Sequence, residues 1–337
     1  MIGVLLSGFL TFVSLNCENL FDCRHDSLKN DIEWLSEGDN HWNPTRYWRK
    51  LNNIGQEILA CGSLTPDPIP AEAPTRSLSP VGRGAEMQED IGQIPDLVAL
   101  CEVENDSVLF DLTHRSLLKN ARYEFLSTDS PDPRGIDVAL LYSPFSFQLF
   151  HHYSLRVEPL PDMHPTRDIL YACGRLITGD TLHVFVVHAP SRSGGEHSTR
   201  PHRMQVARRL CQSIDSIRAT SPRAWVVVAG DFNDFGDAPS LKELQRAPMT
   251  EVSSEARGRN GAEATYRFQG EWNMLDHVFA SAPLASRLHD ACIFDAPFLL
   301  EPDETYGGVK PRRCYTGPRY QPGFSDHLPL VVRFRLE

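Results

Sequence analysis

Several short apolar runs in this chain stop abruptly on a carboxylate, an amide or an imidazole, and that habit constrains the fold more than any other feature. Trp225 to Ala229 reads as a buried strand and runs into Gly230-Asp231-Phe232-Asn233-Asp234. Ser325-Asp326-His327 leads into a second such run, Leu328 to Phe334. A strand that closes on Asp-x-Asn sets a carboxylate and an amide two residues apart, hence on one side of the sheet edge. Asp326 beside His327 puts a hard oxygen next to a titratable imidazole. Those are parts of metal-assisted hydrolysis of a phosphate ester.

The other runs extend the same sheet pattern. Strands are expected over Leu10 to Leu15, Leu97 to Leu100, Tyr123 to Leu126, Val138 to Tyr142, Phe145 to Phe150, Ile169 to Cys173, Leu182 to Val187 and Leu275 to Phe279. Helical spacing of Trp48, Leu51, Ile54, Ile58 and Leu59 predicts a helix over Arg46 to Cys61. Leu109 to Leu118 reads as a second helix and His197 to Ile217 as the longest. Residues 63–90, rich in Pro, Gly and charge, are expected to form a long surface loop. Mixed strand and helix order with many short hairpin spacings points to mixed sheets. The strand ends carry Asn16, Glu102, His188, Asp231, Asn233, Asp276 and His327. Any one of them alone reads as a cap, a turn residue or a satisfied core histidine. Their recurrence at strand ends carries the functional reading.

Charge and cysteine usage limit the alternatives. A net charge of −11 counts against tight, nonspecific polynucleotide binding. The cysteines at 17, 23, 61, 101, 173, 211, 292 and 314 form no CxxC pair, so zinc-ribbon and thioredoxin-like readings fail. Met1 to Val13 is apolar without a basic flank and reads better as the approach to a first core strand. A cytoplasmic location is expected, with export left open, and no run reaches the roughly 20 apolar residues of a transmembrane helix.

The ordered set Leu15-Asn16, Leu100-Cys101-Glu102-Val103, Gly230-Asp231-Phe232-Asn233, Leu275-Asp276-His277 and Ser325-Asp326-His327 resembles the endonuclease/exonuclease/phosphatase superfamily. The resemblance runs from about Leu10 to Phe334. It implies one catalytic domain over residues 1–337 with the α/β fold of that superfamily, a four-layer α/β sandwich of two packed mixed β-sheets flanked by helices. It further implies a hydrolase using Mg²⁺ or Mn²⁺, held by Glu102 with Asn16 and with Asp326 as a further metal-site carboxylate. Asp231 would activate the attacking water and Asn233 would hold water or phosphate. His327, oriented by Asp276, would donate to a phosphate oxygen, and His188 matches the place of a second catalytic histidine.

Arg167 in Thr166-Arg167-Asp168 is placed either to clamp a phosphate oxygen or to make a salt bridge, and Ser191 and Arg192 lie in a polar loop beside His188 within reach of substrate. The expected partner is a phosphate-ester substrate, with nucleic acid among the candidates and no protein partner. A nuclease-like phosphodiesterase is the leading reading, and a phosphatase or phospholipase-like enzyme the alternative. A noncatalytic scaffold of the same fold would have shed some of these groups. Deoxyribonuclease-like relatives often carry a basic residue two positions after the metal-binding Glu; here it is Glu104, which would repel a polynucleotide backbone.

Overall fold

The computed structural model describes residues 8–63 and 93–336. The expected 63–90 loop therefore lies, apart from Ser63, outside the described residues. In chain order the strands begin β1 Phe9–Leu20, β2 Leu97–Val103, β3 Glu124–Ser127, β4 Asp137–Tyr142, β5 Phe147–Leu155 and β6 Ile169–Leu176. They continue β7 Thr181–His188, β8 Trp225–Asp231, β9 Met249–Glu251, β10 Tyr266–Phe268, β11 Glu271–Asn273 and β12 Asp276–Ser281. The last are β13 Leu288–Ile293, β14 Leu300–Pro302, β15 Val309–Pro311, β16 Tyr315–Thr316, β17 Arg319–Tyr320 and β18 Leu330–Arg335. The helices are α1 Pro44–Gly62, α2 Asp106–His114, α3 Glu196–Thr220, α4 Pro239–Arg246 and the single turn α5 Ala282–Ala285.

Two six-stranded mixed sheets form the sandwich, ordered β13-β18-β1-β2-β4-β3 and β5-β6-β7-β8-β12-β9. Alternation along β7 and β8 explains why their sequences are almost wholly apolar. Val184, Val186, Val227 and Ala229 join the core that also holds Phe12, Val13, Val98 and Leu100 of the first sheet. Phe185, Val187, Val226 and Val228 point the other way, into a second cluster with Val206, Leu210 and Ile214 of α3 and Leu241 and Leu244 of α4. Strands covered on both faces read as continuous hydrophobic runs. On the far side of the first sheet α1 buries Leu51, Ile54 and Ile58, each contributing about 1.5–3 kcal/mol. Asn43 starts that helix by accepting from Thr45 N and Arg46 N, with Pro44 in the first turn. Among the described residues no helix is long and apolar enough to cross a membrane.

Strand direction gathers the polar strand ends. β1 and β2 run parallel, as do β7 and β8, so each pair finishes at the same sheet edge. β18 runs antiparallel to β1 and β12 antiparallel to β8, so their first residues lie beside those ends. Asp231 consequently pairs in register with His188 on one side and Asp276 on the other. Gly230 makes this close alignment possible. Its φ is +141°, and a Cβ there would sit 1.9 Å from the Val187 carbonyl oxygen. Gly230→Ala combines backbone strain and overpacking, each worth about 1–3 kcal/mol. A fall in denaturation midpoint with an unchanged m-value is the expected result; an unaltered midpoint would mean that β7 does not hold this approach.

Some boundaries differ from those read in the sequence. The helix expected over Leu109 to Leu118 is α2 followed by a 3₁₀ turn, Leu117–Asn120. Asn105 caps α2 early by accepting from Val108 N, and Ser116 caps the separate turn. The expected strand Phe145 to Phe150 is displaced to Phe147–Leu155, after a turn in which Phe147 N donates to Ser143 O. β13, a half-buried edge strand, was not expected, nor were the hairpins β10-β11, β14-β15 and β16-β17. β1 and β2 outrun their apolar cores because both are irregular at the polar end. Their register shifts between Asn16 and Leu20, and β2 shifts against β4 between Cys101 and Val103. Glu18, Asn19 and Glu102 there adopt φ values of +49°, +58° and +62°. Bulges of this kind re-aim side chains at sheet edges.

Candidate active site

Asp231, at the end of β8, is the hub. Its carboxylate accepts from Asn233 N at 2.8 Å, Asn233 Nδ2 at 3.3 Å and Asn16 Nδ2 at 3.1 Å. Asn233 also donates to Ala189 O, which fixes its amide between the two strand ends. Burial pushes the Asp231 carboxyl up to about 7, although the charge of His327 works to lower it; Asp276 and Glu102 add repulsion. A carboxyl held there can accept a proton at neutral pH.

His327 lies opposite. Its Nδ1 is 2.7 Å from Asp276 Oδ2, and its Nε2 stands 4.0 Å from Asp231 Oδ2. Thr265 Oγ1 donates to the same Asp276 oxygen at 2.6 Å, and Ser325 Oγ accepts from His327 N while donating to Asn16 O. Burial opposes a charge on the ring, but the Asp276 carboxylate, with Asp231 and Asp326, outweighs it and lifts the imidazole to about 10. His327 is therefore a cation with Nε2–H turned toward Asp231. His188 is the opposite case. Its Nε2 is 3.7 Å from Asp231 Oδ2 and 3.8 Å from Glu102 Oε1, yet burial and the Arg167 and Arg134 guanidinium groups hold it neutral. Its buried Nδ1 has no hydrogen-bond partner.

Glu102 reaches the same edge from β2. One oxygen accepts from Asn19 N at 2.9 Å, and the other faces His188. Among the described residues no group of three or more His, Cys, Asp or Glu side chains is gathered closely enough to hold a metal. Mg²⁺, however, is commonly held by one or two carboxylates, with water and substrate phosphate completing the octahedron. Glu102 in a strained backbone conformation and the amide oxygen of Asn16, which already accepts from Glu18 N at 2.9 Å and keeps a second lone pair, fit that hard-oxygen chemistry. Asp326 stands apart from them in its bonding, since its Oδ2 is 3.0 Å from Arg313 Nη2. Arg313 Nε also contacts Glu18 Oε1 at 3.3 Å.

The substrate candidates divide. Arg167 is buried beneath the site, where it pairs with Asp132 at 2.7 Å and donates to the carbonyls of His188 and Ala189. Its donors brace the end of β7. Ser191 is exposed, and Arg192 packs over the Phe235 ring at 4.1 Å from the centroid, with Glu196 at 3.9 Å. Glu104 turns to accept from Asp22 N at 2.6 Å, and burial, more than its acidic neighbours, pushes its carboxyl up to about 8. Sequence reading missed Glu18, Arg134, Thr265, Tyr266 and Arg313. Glu18 follows Asn16 by two, the spacing already used for Asp231 and Asn233, so it was within reach. The Tyr266 ring lies tilted against His327 with centroids 4.8 Å apart, and nothing in the local sequence signals that contact.

A sequence model described as endonuclease/exonuclease/phosphatase family matches residues 11–70 and 82–336. No curated protein matches at a significant level. Among solved structures, an endonuclease/exonuclease/phosphatase from Bacteroides vulgatus is 14% identical with a TM-score of 0.59, covering 98% of this chain and 99% of that one. The human Nocturnin catalytic domain is 17% identical at a TM-score of 0.55, with 98% and 95% covered. A mannosyl-6-phosphatase of Bacteroides thetaiotaomicron is 14% identical at 0.59, with 96% and 98% covered. At these identities the likeness establishes the fold alone.

Proposed function

The chain belongs to the endonuclease/exonuclease/phosphatase family, and on that premise we propose that it is a divalent-metal-dependent hydrolase of phosphate esters. The observation that carries this reading is the line Asp276–His327 facing Asp231, with 4.0 Å between His327 Nε2 and Asp231 Oδ2. A basic carboxylate and a protonated imidazole, set across a gap and oriented from behind, are a matched acceptor and donor.

Asp231 takes the proton of the attacking water while Asn233 and Asn16 hold its carboxylate in place. His327 donates through Nε2 to a phosphate oxygen as negative charge builds there. Asp276 fixes that tautomer by accepting from Nδ1. Neutral His188 lies near both Asp231 and Glu102, where it can hydrogen-bond phosphate without adding charge. Arg167 keeps the His188–Ala189 backbone in position. Mg²⁺ or Mn²⁺, when bound, supplies charge that neutralises phosphate oxygens, and Glu102 with Asn16 would hold it. Losing even an outer-shell partner typically costs 10–100-fold in metal affinity. Glu102→Gln is therefore expected to raise the Mg²⁺ concentration for half-maximal turnover by about tenfold or more. An unchanged midpoint in that titration removes Glu102 from the metal site.

The substrate subtype we propose is a nuclease-like phosphodiester. A smaller phosphorylated substrate is the second reading, and one observation favours it. Glu104, where a basic residue would reach a polynucleotide, is instead tied to Asp22 beside a groove of about 670 Å³ lined by Asp22, Asp106 and Asp111 with Arg24 and Arg115. Its three aspartates outnumber its two arginines, and with a net charge of −11 over the chain this disfavours a polynucleotide backbone. The lipid variant finds less support, because Trp34 and Trp42 are buried against Phe21 and Tyr315. Purified protein with Mg²⁺, Mn²⁺ or EDTA, assayed on plasmid DNA, single-stranded DNA, RNA and small phosphomonoesters and diesters, separates the two. Polynucleotide cleavage that vanishes in EDTA supports the first reading; turnover confined to small esters supports the second. Inactivity on every class would overturn both.

A further inference from the structure

Arg313 sits where two carboxylates of the site converge. Its Nε is 3.3 Å from Glu18 Oε1 and its Nη2 is 3.0 Å from Asp326 Oδ2, so one guanidinium bridges acids 308 residues apart in the chain. Glu18 is buried and further fixed by Cys314 N, which donates to Oε2 at 2.7 Å, and buried Lys50 Nζ stands 4.0 Å from that oxygen, leaving Oε1 to Arg313. Asp326 adjoins His327, and the Arg313 side chain remains 36% exposed.

The arginine is held from behind as well. Phe324 N donates to Arg312 O, and Gln321 N to Cys314 O at 2.7 Å. Gly323 packs so tightly that a Cβ there would lie 2.1 Å from the Arg313 carbonyl oxygen. Backbone this close, at a residue without a side chain, fixes where the guanidinium emerges. Arginine keeps its charge at any ordinary pH and presents a planar fork suited to two carboxylates.

We propose that Arg313 is a resident cation filling the place a second divalent ion would take between Glu18 and Asp326, so that this site works with a single exchangeable metal. The inference rests on the metal-dependent reading above and deepens it. Glu18 and Asp326 offer oxygens that would suit a hard cation, and the guanidinium bridging them, with Lys50 4.0 Å from Glu18, already balances their two charges without exchange. A divalent ion entering there would have to displace a bonded fork next to protonated His327. Arg313 is thus a positioning residue that sets metal stoichiometry.

The test counts metal on the full chain. Mn²⁺ bound per chain is measured by electron paramagnetic resonance of the free ion and by calorimetry for wild type, Arg313→Met, Arg313→Gln and Arg313→Lys. Removing the charge is expected to add one Mn²⁺ per chain, and the added ion should vanish when Asp326→Asn is combined with Arg313→Met. Arg313→Lys is expected to keep the wild-type count. Thermal melting identifies a folded variant; if Arg313→Met fails to fold, Arg313→Gln, which keeps an amide against the two acids, decides the matter. No gain in a folded neutral variant overturns the proposal, and an equal gain in Arg313→Lys overturns fixed charge as its cause. A wild-type chain that binds no Mn²⁺ instead strikes at the Glu102 assignment, while a gain on removing Arg313 would still support the resident cation.

Discussion

Asp231→Asn is expected to lower kcat by about 10³–10⁴-fold, near the upper end of what a positioned general base contributes. The replacement keeps the volume of the side chain and its place at the end of β8, so far-ultraviolet circular dichroism should not change. A second signature separates loss of the base from damage to the fold. The wild-type carboxyl is raised from an unfolded value near 3.9 to about 7 by burial. The folded protein therefore holds a proton that the unfolded chain has released. Asp231 favours the folded state fully below about pH 4, and that contribution is lost as pH rises toward 7. Asn carries no such dependence. The stability of Asp231→Asn relative to wild type should therefore climb between pH 4 and 7 and level off above it. Turnover within tenfold of wild type would remove Asp231 as the base, and a flat stability difference would show that its carboxyl is not raised by burial.

Asp231 was legible in the sequence for a physical reason. Trp225 to Ala229 is apolar on both faces because β8 is covered by the other sheet on one side and by α3 and α4 on the other, so the first carboxylate after it marks a sheet edge. The same logic located Asn16, Glu102, His188 and Asp276, and strand direction brought them together. What the sequence did not display is how those edges are bent. The register shifts at Asn16–Leu20 and Cys101–Val103 turn Glu18 and Glu102 inward through positive φ angles that no residue type there announces. Arg167 shows a different limit. A phosphate clamp and a buried brace look alike in sequence, and Asp132, thirty-five residues away, is what occupies its guanidinium. Arg313 was the hardest to see. It emerges among strands of two and three residues whose hydrophobic pattern is too short to read, and its partners come from β1 and from the turn before β18.

His327→Ala should cost about 10²–10⁴-fold in kcat, the range for a positioned acid. The sharper test lies one residue behind it. Wild-type kcat/KM is expected to be bell-shaped. As pH falls through about 7, Asp231 gains a proton and can no longer accept one from water. As pH rises through about 10, His327 loses the proton it must donate. Burial would lower the His327 ring, and the Asp276 carboxylate is the largest influence raising it; the same carboxylate also raises Asp231. Asp276→Asn removes that negative charge while keeping a hydrogen-bonding group of the same size. Both limbs should then move to lower pH, the basic limb farther, because His327 loses a direct 2.7 Å partner whereas Asp231 loses only a neighbouring charge. The two groups are coupled, so the limbs report the pair rather than either residue alone. A purely structural role for Asp276 predicts something else: a lower plateau with both limbs where they were. Displacement of the limbs is therefore the result that ties Asp276 to proton transfer, and fixed limbs would leave it as a support for the strand end.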